Sequence, residues 1–221
     1  MLQKYKIETP KIIKNKFFNK KEIVAFHTRN APHDGHKWIH DLALQKYNYL
    51  LIQPIVSQFR KGEFTEEAIL HTYKIYIRNK NKLLKKCRKK IFLSSLHLFP
   101  KYGGPREALL HALIRKNYGC THFLVGRDHA GISNYYKKYA SQKICKKFEK
   151  QLGIKIIKFK SPGCCSKCNK IVNKKCTFFD CKISDINGSL IRKKIKQKKY
   201  KNIKFFDKSL LKGLSKKKLI I

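Results

Sequence analysis

Five short apolar runs alternate with helix-like stretches along this chain, and that alternation limits the fold more than any other feature. Strand-like runs fall at 22–27, 49–56 (interrupted by Pro54), 90–98, 121–125 and 154–159. Between them the spacing predicts helices over 37–46, from Thr65 to about Asn81, onward from Pro105, and over 136–152. The first of these carries Trp38, Ile39, Leu42 and Ala43 as a core-facing stripe, and the second carries Ala68, Ile69, Thr72, Tyr73 and Tyr76. Strands separated by helices return in the same direction, so the expected fold is α/β, a parallel sheet with helices on both faces. Such sheets bind ligands beyond the carboxyl ends of their strands, where the connections diverge.

Two loops sit on that rim. HTRNAPHDGH (27–36) follows the first strand and GRDHAG (126–131) follows the fourth. A strand that passes through a His- and Gly-bearing loop into a helix presents unpaired backbone N–H groups and the positive end of a dipole. Arg29 adds a forked, permanently charged donor set, and Asn30 a neutral donor and acceptor. His33 and His36 alone are weak evidence, because an HxxH pair can simply cap a helix or fill a core corner. Together with the second loop, they point to an enzyme that moves negative charge between the phosphate oxygens of a nucleoside triphosphate. A third segment, 186–192, reads as a turn, a Ser189 N-cap and the start of a basic helix with Arg192 one turn in.

The chain has 221 residues, 42% of them apolar, which suffices for one generous domain. The expected division is an extended lead-in at 1–20, a catalytic core at 21–163, a Cys-rich loop at 164–182, and a helical C-terminal segment at 183–221. No apolar run is long enough to span a bilayer, and the first residues carry no export signal, so a cytoplasmic address is expected. The net charge of +40 would ordinarily announce a nucleic-acid partner. Only 8 of the 53 basic residues are arginine, and the lysines are spread evenly among Ile, Asn, Tyr and Phe, a pattern of AT-rich codon usage. Nucleic acid is therefore set aside as a partner. The denser runs Lys80–Lys90 and Lys193–Lys204 read as solvated helix faces.

Eight cysteines in a chain without an export signal argue against a disulfide framework. Five of them crowd into CCSKCNKIVNKKCTFFDC (164–181). Cys165 and Cys168, followed by Cys176 and Cys181, have the spacing of a knuckle whose four thiolates surround Zn²⁺. Cys164 is a substitute ligand and Asp180 a candidate oxygen ligand; a set of incidental buried thiols is the alternative. Four thiolates leave no open coordination position, so this metal would be structural.

These segments resemble the sulfate adenylyltransferase (ATP sulfurylase) family of the nucleotidylyltransferase superfamily. The family's Gln-Thr-Arg-Asn-Pro-x-His-x-x-His segment is matched by His27 to His36. Its Gly-Pro-Arg-Glu-Ala-Leu block leading to Gly-Arg-Asp-His-Ala-Gly is matched almost continuously by 103–131. Its Ile-Ser-Gly-Thr-x-x-Arg resembles Ile186 to Arg192, and the resemblance covers roughly 22–210. It implies the Rossmann-like HxGH nucleotidylyltransferase fold, and the reaction of ATP with sulfate to give adenosine 5′-phosphosulfate and pyrophosphate, with Mg²⁺ on the triphosphate. By the same resemblance Thr28, Arg29 and Asn30 form the catalytic stretch, and His27, Arg29 and the Ala130 backbone N–H hold sulfate. Gly126, Arg127, Asp128 and His129 line the nucleotide, while His33 and His36 engage its phosphates. It also implies a zinc between the last two motifs and allows a homo-oligomer. The chain departs from the family at His27, where the family has Gln, at Pro32, which is shifted by one place, and at Asp34, which sets a carboxylate between the two histidines. Those departures motivate an alternative, a related nucleotidylyltransferase with another anionic acceptor. A zinc-bearing nucleic-acid-binding protein ranks third.

Overall fold

The structure, a computed structural model, describes residues 8–56, 61–132, 135–172, 176, 180–186, 188–197, 205–214 and 219–221. The main sheet has six parallel strands, five of which, β1 (Ile23–Thr28), β2 (Tyr49–Val56), β3 (Lys90–Leu93), β5 (His122–Val125) and β6 (Lys155–Lys158), lie in the order β3-β2-β1-β5-β6. The run at 90–98 is not one strand. It breaks at the buried Ser94 and Ser95, and β4 (Leu96–His97) resumes pairing with the far half of β2. Pro54 does not interrupt β2, which runs unbroken through it in register with Thr28 of β1.

Helices cover both faces, as the alternation predicts. On one side lie α2 (Asp34–Lys46) and α3 (Glu66–Leu84), packing Ile39, Ala43, Ile69 and Tyr73 onto Val24, Leu50 and Ile52. In the predicted α2 stripe Ile39 and Ala43 are buried and Trp38 packs at the edge, but Leu42 is exposed. The α3 stripe is buried throughout, and Thr65 caps the helix by accepting from the Ala68 N–H at 3.1 Å. On the other side lie α4 (Pro105–Asn117), α5 (Ala140–Lys147) and α6 (Glu149–Leu152), over Ala25, Leu51 and Phe123. The expected helix over 136–152 thus starts at Ala140 and is interrupted at Phe148. Fully burying a side chain such as Phe123 contributes about 1.5–3 kcal/mol.

Of the expected lead-in at 1–20, residues 1–7 lie outside the described residues, and the rest is not simply extended. Pro10–Lys16 forms α1, with Thr9 as N-cap and Pro10 at the first helical position, where its fixed φ suits a helix start. This short helix buries Ile13, and Phe17 just beyond it, against the α4 side of the sheet. The Cys-rich segment is likewise more than a loop. There β7 (Gly163–Cys165), β8 (Ile171–Val172) and β9 (Ile183–Asp185) make a small antiparallel sheet in the order β8-β7-β9. The last helix, α7 (Gly188–Lys196), is already under way at Gly188, so Ser189 lies in its first turn and not at its cap. The Lys80–Lys90 run covers the end of α3 and a 3₁₀ turn at Lys85–Cys87, largely exposed. Of the Lys193–Lys204 run, residues 198–204 lie outside the described residues. No helix among the described residues is long and apolar enough to cross a membrane.

The consequential feature is the neighbour relation of β1 and β5. They pair directly, with Val24 opposite His122 and Ala25 opposite Phe123. The same offset carried three residues on sets Thr28 level with Gly126. The chain diverges here, with β2 on one side of β1 and β5 on the other, which makes this the switch point where such sheets form a crevice.

Candidate active site

A cavity of about 660 Å³ opens at this switch point, and both predicted loops line it. It gathers His27, Thr28, Arg29, Asn30, His33 and His36 from the first loop and Gly126 to Ala130 from the second. Residues a hundred positions apart therefore share one pocket. Tyr102, Asp185 and Arg192 close its rim.

Each part of the first loop is held locally. The Thr28 hydroxyl accepts the Asn30 N–H at 3.0 Å, which turns the chain sharply at Arg29. The Arg29 guanidinium lies 4.6 Å over the Tyr102 ring, a cation–π contact that orients it without using up its N–H donors. The Asn30 side-chain oxygen accepts from Arg192 of α7, so the third sequence segment reaches the pocket through that pair. His33 caps α2, its Nδ1 accepting the His36 N–H at 3.3 Å, and the two imidazoles stack at 3.7 Å. Gly35 permits that packing, because a Cβ there would meet the His33 ring at 3.1 Å. One of the helix's unpaired N–H groups is thus satisfied by a histidine rather than left for a phosphate.

The second loop is braced from below. Gln142 donates to the carbonyls of Val125 and Phe159, both at 2.8 Å, tying the ends of β5 and β6. Ala130 takes a left-handed conformation (φ 57°), and its carbonyl accepts from Gly104 N at 3.0 Å. Arg127 is held by two carboxylates, Asp128 at 2.7 Å and Asp185 of β9 at 3.0 Å. The small cysteine-bearing sheet is therefore fastened to the pocket through Asp185.

The pocket's histidines are neutral. Burial, aided by His111, Arg115, His129 and Arg29 around it, holds His27 well below its ordinary range. Burial likewise lowers His129 and His36, and brings His33 to about 4 with help from Arg192 and Lys37. With these four rings uncharged, the site's fixed positive charge comes from Arg29, Arg127 and Arg192.

Beneath the floor, α4 contributes Glu107, His111 and Arg115, all buried. None belongs to the two loop motifs. Their signal in the sequence is a polar side chain at every fourth position along one face of a helix whose spacing otherwise reads as core. His111 Nδ1 meets His129 Nε2 at 3.0 Å, and Arg115 Nη2 donates to His27 Nδ1 at 2.7 Å. Burial alone would raise the Glu107 carboxyl, but hydrogen bonds from His111 and from the Lys101 and Gly103 N–H groups pull it down to about 2.

Two groups of side chains have the composition of metal sites. His27, His111 and His129 bring ligand atoms within 4.8 Å of one another, and so do Cys165, Cys176 and Cys181. Cys168 joins the thiols, with its sulfur 3.6 Å from that of Cys176. The four predicted cysteines therefore lie near one another, with Cys168 beside the tight trio and not within it. Among the described residues neither Cys164 nor Asp180 belongs to that group. The Cys168 N–H, 3.5 Å from the Cys165 sulfur, is the main cause that brings the Cys165 thiol down to about 6, toward the thiolate a metal takes.

Comparison with known proteins agrees with the two motifs. Residues 4–217 match the family model described as ATP-sulfurylase. A sulfate adenylyltransferase of Ignicoccus hospitalis is 38% identical over 180 residues, 81% of this chain and 46% of that protein. One from Staphylothermus marinus is 36% identical over 192 residues, 86% of this chain and 48% of that protein. A third, from Carboxydothermus hydrogenoformans, is 37% identical over 169 residues, 76% and 42% of the two chains. The chain thus spans a little under half the length of these relatives. Among solved structures, the hexameric APS kinase from Thiobacillus denitrificans is similar in fold, with a TM-score of 0.61 at 15% identity, covering 86% of this chain and 35% of that one.

Proposed function

Since this chain belongs to the ATP-sulfurylase family, we propose that it transfers the adenylyl group of ATP to sulfate, releasing pyrophosphate. The observation that carries this reading is the meeting of both motif loops in one cavity at the switch point, around Arg29 and a set of uncharged imidazoles.

In the proposed reaction a sulfate oxygen attacks the α-phosphorus in line. A phosphorus–oxygen bond forms to sulfate as the bond to the β-phosphate bridging oxygen breaks, and that electron pair leaves with pyrophosphate. No covalent enzyme intermediate is needed. The protein's task is to align two anions that repel each other, and to offset the charge that builds on the equatorial and leaving oxygens. Arg29, His27 and the Ala130 N–H are assigned to sulfate, with Tyr102 holding the Arg29 guanidinium in place. Thr28 and Asn30 fix the turn that presents Arg29. Gly126, Arg127, Asp128 and His129 are assigned to the nucleotide, and His33 and His36 donate to its phosphates without bringing a proton that could be lost. The nearby carboxylates Asp128 and Asp185 are both engaged by Arg127, so Mg²⁺ is assigned to the triphosphate itself, where it offsets leaving-group charge.

The cysteine group fits a structural zinc. With Zn–S bonds of about 2.3 Å, sulfurs at tetrahedral corners stand about 3.8 Å apart, close to the 3.6 Å between Cys168 and Cys176. Cys165, Cys168, Cys176 and Cys181 would hold it, pinning β7 to the turns that follow.

Pyrophosphate release from ATP, measured while only the oxyanion is varied, tests the function. Release should require sulfate and fall by about 10²-fold or more in Arg29→Ala. Another oxyanion supporting turnover while sulfate is inert would transfer the assignment to a different acceptor, and unchanged turnover in Arg29→Ala would remove its role.

A further inference from the structure

A neutral imidazole carries one N–H, and a partner that can only donate decides which nitrogen carries it. The Arg115 guanidinium has no acceptor, is fully buried, and reaches His27 Nδ1 at 2.7 Å. We propose that Arg115 is a positioning residue: it forces the His27 proton onto Nε2 and so makes His27 a neutral, fixed N–H donor to the acceptor anion. The identity of that anion rests on the function proposed above; the tautomer does not.

The geometry closes the other states of the ring. An Nδ1–H tautomer, or an imidazolium, would set a hydrogen on Nδ1 directly against the Arg115 N–H. The surroundings agree with this. His27 on β1 is faced by Arg115 and His111 from α4, by His129 from the loop after β5, and by Arg29 next to it on its own loop. The α4 carboxylate, Glu107, is turned to the Lys101 and Gly103 N–H groups at 3.0 and 2.8 Å and approaches His111, not His27. Burial brings Arg115 down only to about 9, so it keeps its charge at neutral pH.

The same device recurs next door. The His33 Nδ1 accepts the His36 backbone N–H, again a donor-only partner, which leaves the His33 proton on Nε2. The Tyr73 hydroxyl stands 3.3 Å from His36 Nδ1 and can do likewise. The arrangement also decides against a metal among His27, His111 and His129. A cation there would need a lone pair from each ring, but the His27 Nδ1 lone pair is spent on Arg115, whose own positive charge is locked beside it.

Proton-detected spectra of the full chain carrying ¹⁵N-histidine test the tautomer without any substrate, the His27 signals being assigned by their absence in His27→Gln. His27 should be the neutral Nε2–H form at pH 7 and remain neutral at pH 5.5. Nδ1–H or imidazolium signals from His27 would overturn the proposal. Kinetics tests the consequence. Arg115→Met should raise the KM for sulfate about tenfold with kcat within about twofold, and Arg115→Lys, which can still donate to Nδ1, should recover most of the loss. Placed on His27→Gln, Arg115→Met should cost less than about twofold more, because the ring it positions is gone. An equal loss in both backgrounds means a merely structural arginine and refutes the positioning role. Should wild-type protein release no pyrophosphate with sulfate, or should Arg115→Met not fold, the wild-type spectra decide the proposal by themselves.

Discussion

Acidification from pH 7.5 to 5 should cost this protein about 4 kcal/mol of stability through two histidines alone. His40 has no exposed surface, lies against the Phe26 and Tyr76 rings, and pairs its Nδ1 with the Tyr76 hydroxyl at 3.1 Å; burial brings it to about 3. His33, capping α2, is brought to about 4, also chiefly by burial. Both folded values lie below the unfolded one of about 6.5. Protons are therefore taken up on unfolding, and stability is complete above about pH 6.5 and lost as the pH falls toward the folded values. At pH 5 the unfolded chain gains RT ln(1 + 10^1.5), about 2 kcal/mol per site, while the folded chain gains almost nothing. That sum is a large part of the ~5–15 kcal/mol total typical of domains. His27, His36 and His129 shift in the same direction and add to it. Urea unfolding followed by the fluorescence of Trp38, the only tryptophan, at both pH values measures the loss directly. His40→Gln, which keeps a hydrogen-bonding group but cannot titrate, should reduce the pH-dependent loss by about 2 kcal/mol. A wild-type stability that is flat between pH 7.5 and 5, or an identical loss in the variant, refutes the reasoning.

Three further outcomes are expected. Gly104→Ala should destabilise by about 1–3 kcal/mol in the same urea assay, since φ is +53° and a Cβ there would sit 2.5 Å from the Tyr136 ring. Purified protein should carry one zinc per chain by elemental analysis, and Cys176→Ser should lose it and lower the Tm; a metal-free chain that keeps its Tm contradicts the zinc assignment. Asp185→Asn removes one of the two carboxylates on Arg127 and should raise the KM for ATP about threefold with little change in kcat, as steady-state kinetics would show.

Much of this architecture could be read from one sequence because parallel strands advertise themselves as buried apolar runs punctuated by helices. The neighbour relation of β1 and β5 could be anticipated only as a rule about where such sheets bind ligands, yet it is what joins His27–His36 to Gly126–Ala130. The misses have physical causes. Thr9-Pro10 is a good helix start, but seven residues carry too little periodicity to stand out from a lysine-rich terminus. The three-stranded cysteine sheet is held by strands of two or three residues, too short for any alternation to register. His111 and Arg115 interrupt the apolar pattern of α4 without a motif of their own to mark them, since what they touch, His129 and His27, is far away in the sequence.

Helix α4 divides its circumference between two duties. Toward the sheet it supplies Ala108 and Ala112 to the core, with Glu107, His111 and Arg115 as rungs one turn apart below the cavity, while Leu110 and Leu113 look outward. A comprehensive mutational scan of 105–117 should thus draw a barber-pole pattern, with tolerance on the outer stripe and sharp intolerance on the inner one. Polar rungs should be as unforgiving as greasy ones. Hydrophobic replacement, normally a safe exchange in an interior, would instead leave buried partners unpaired at those three steps.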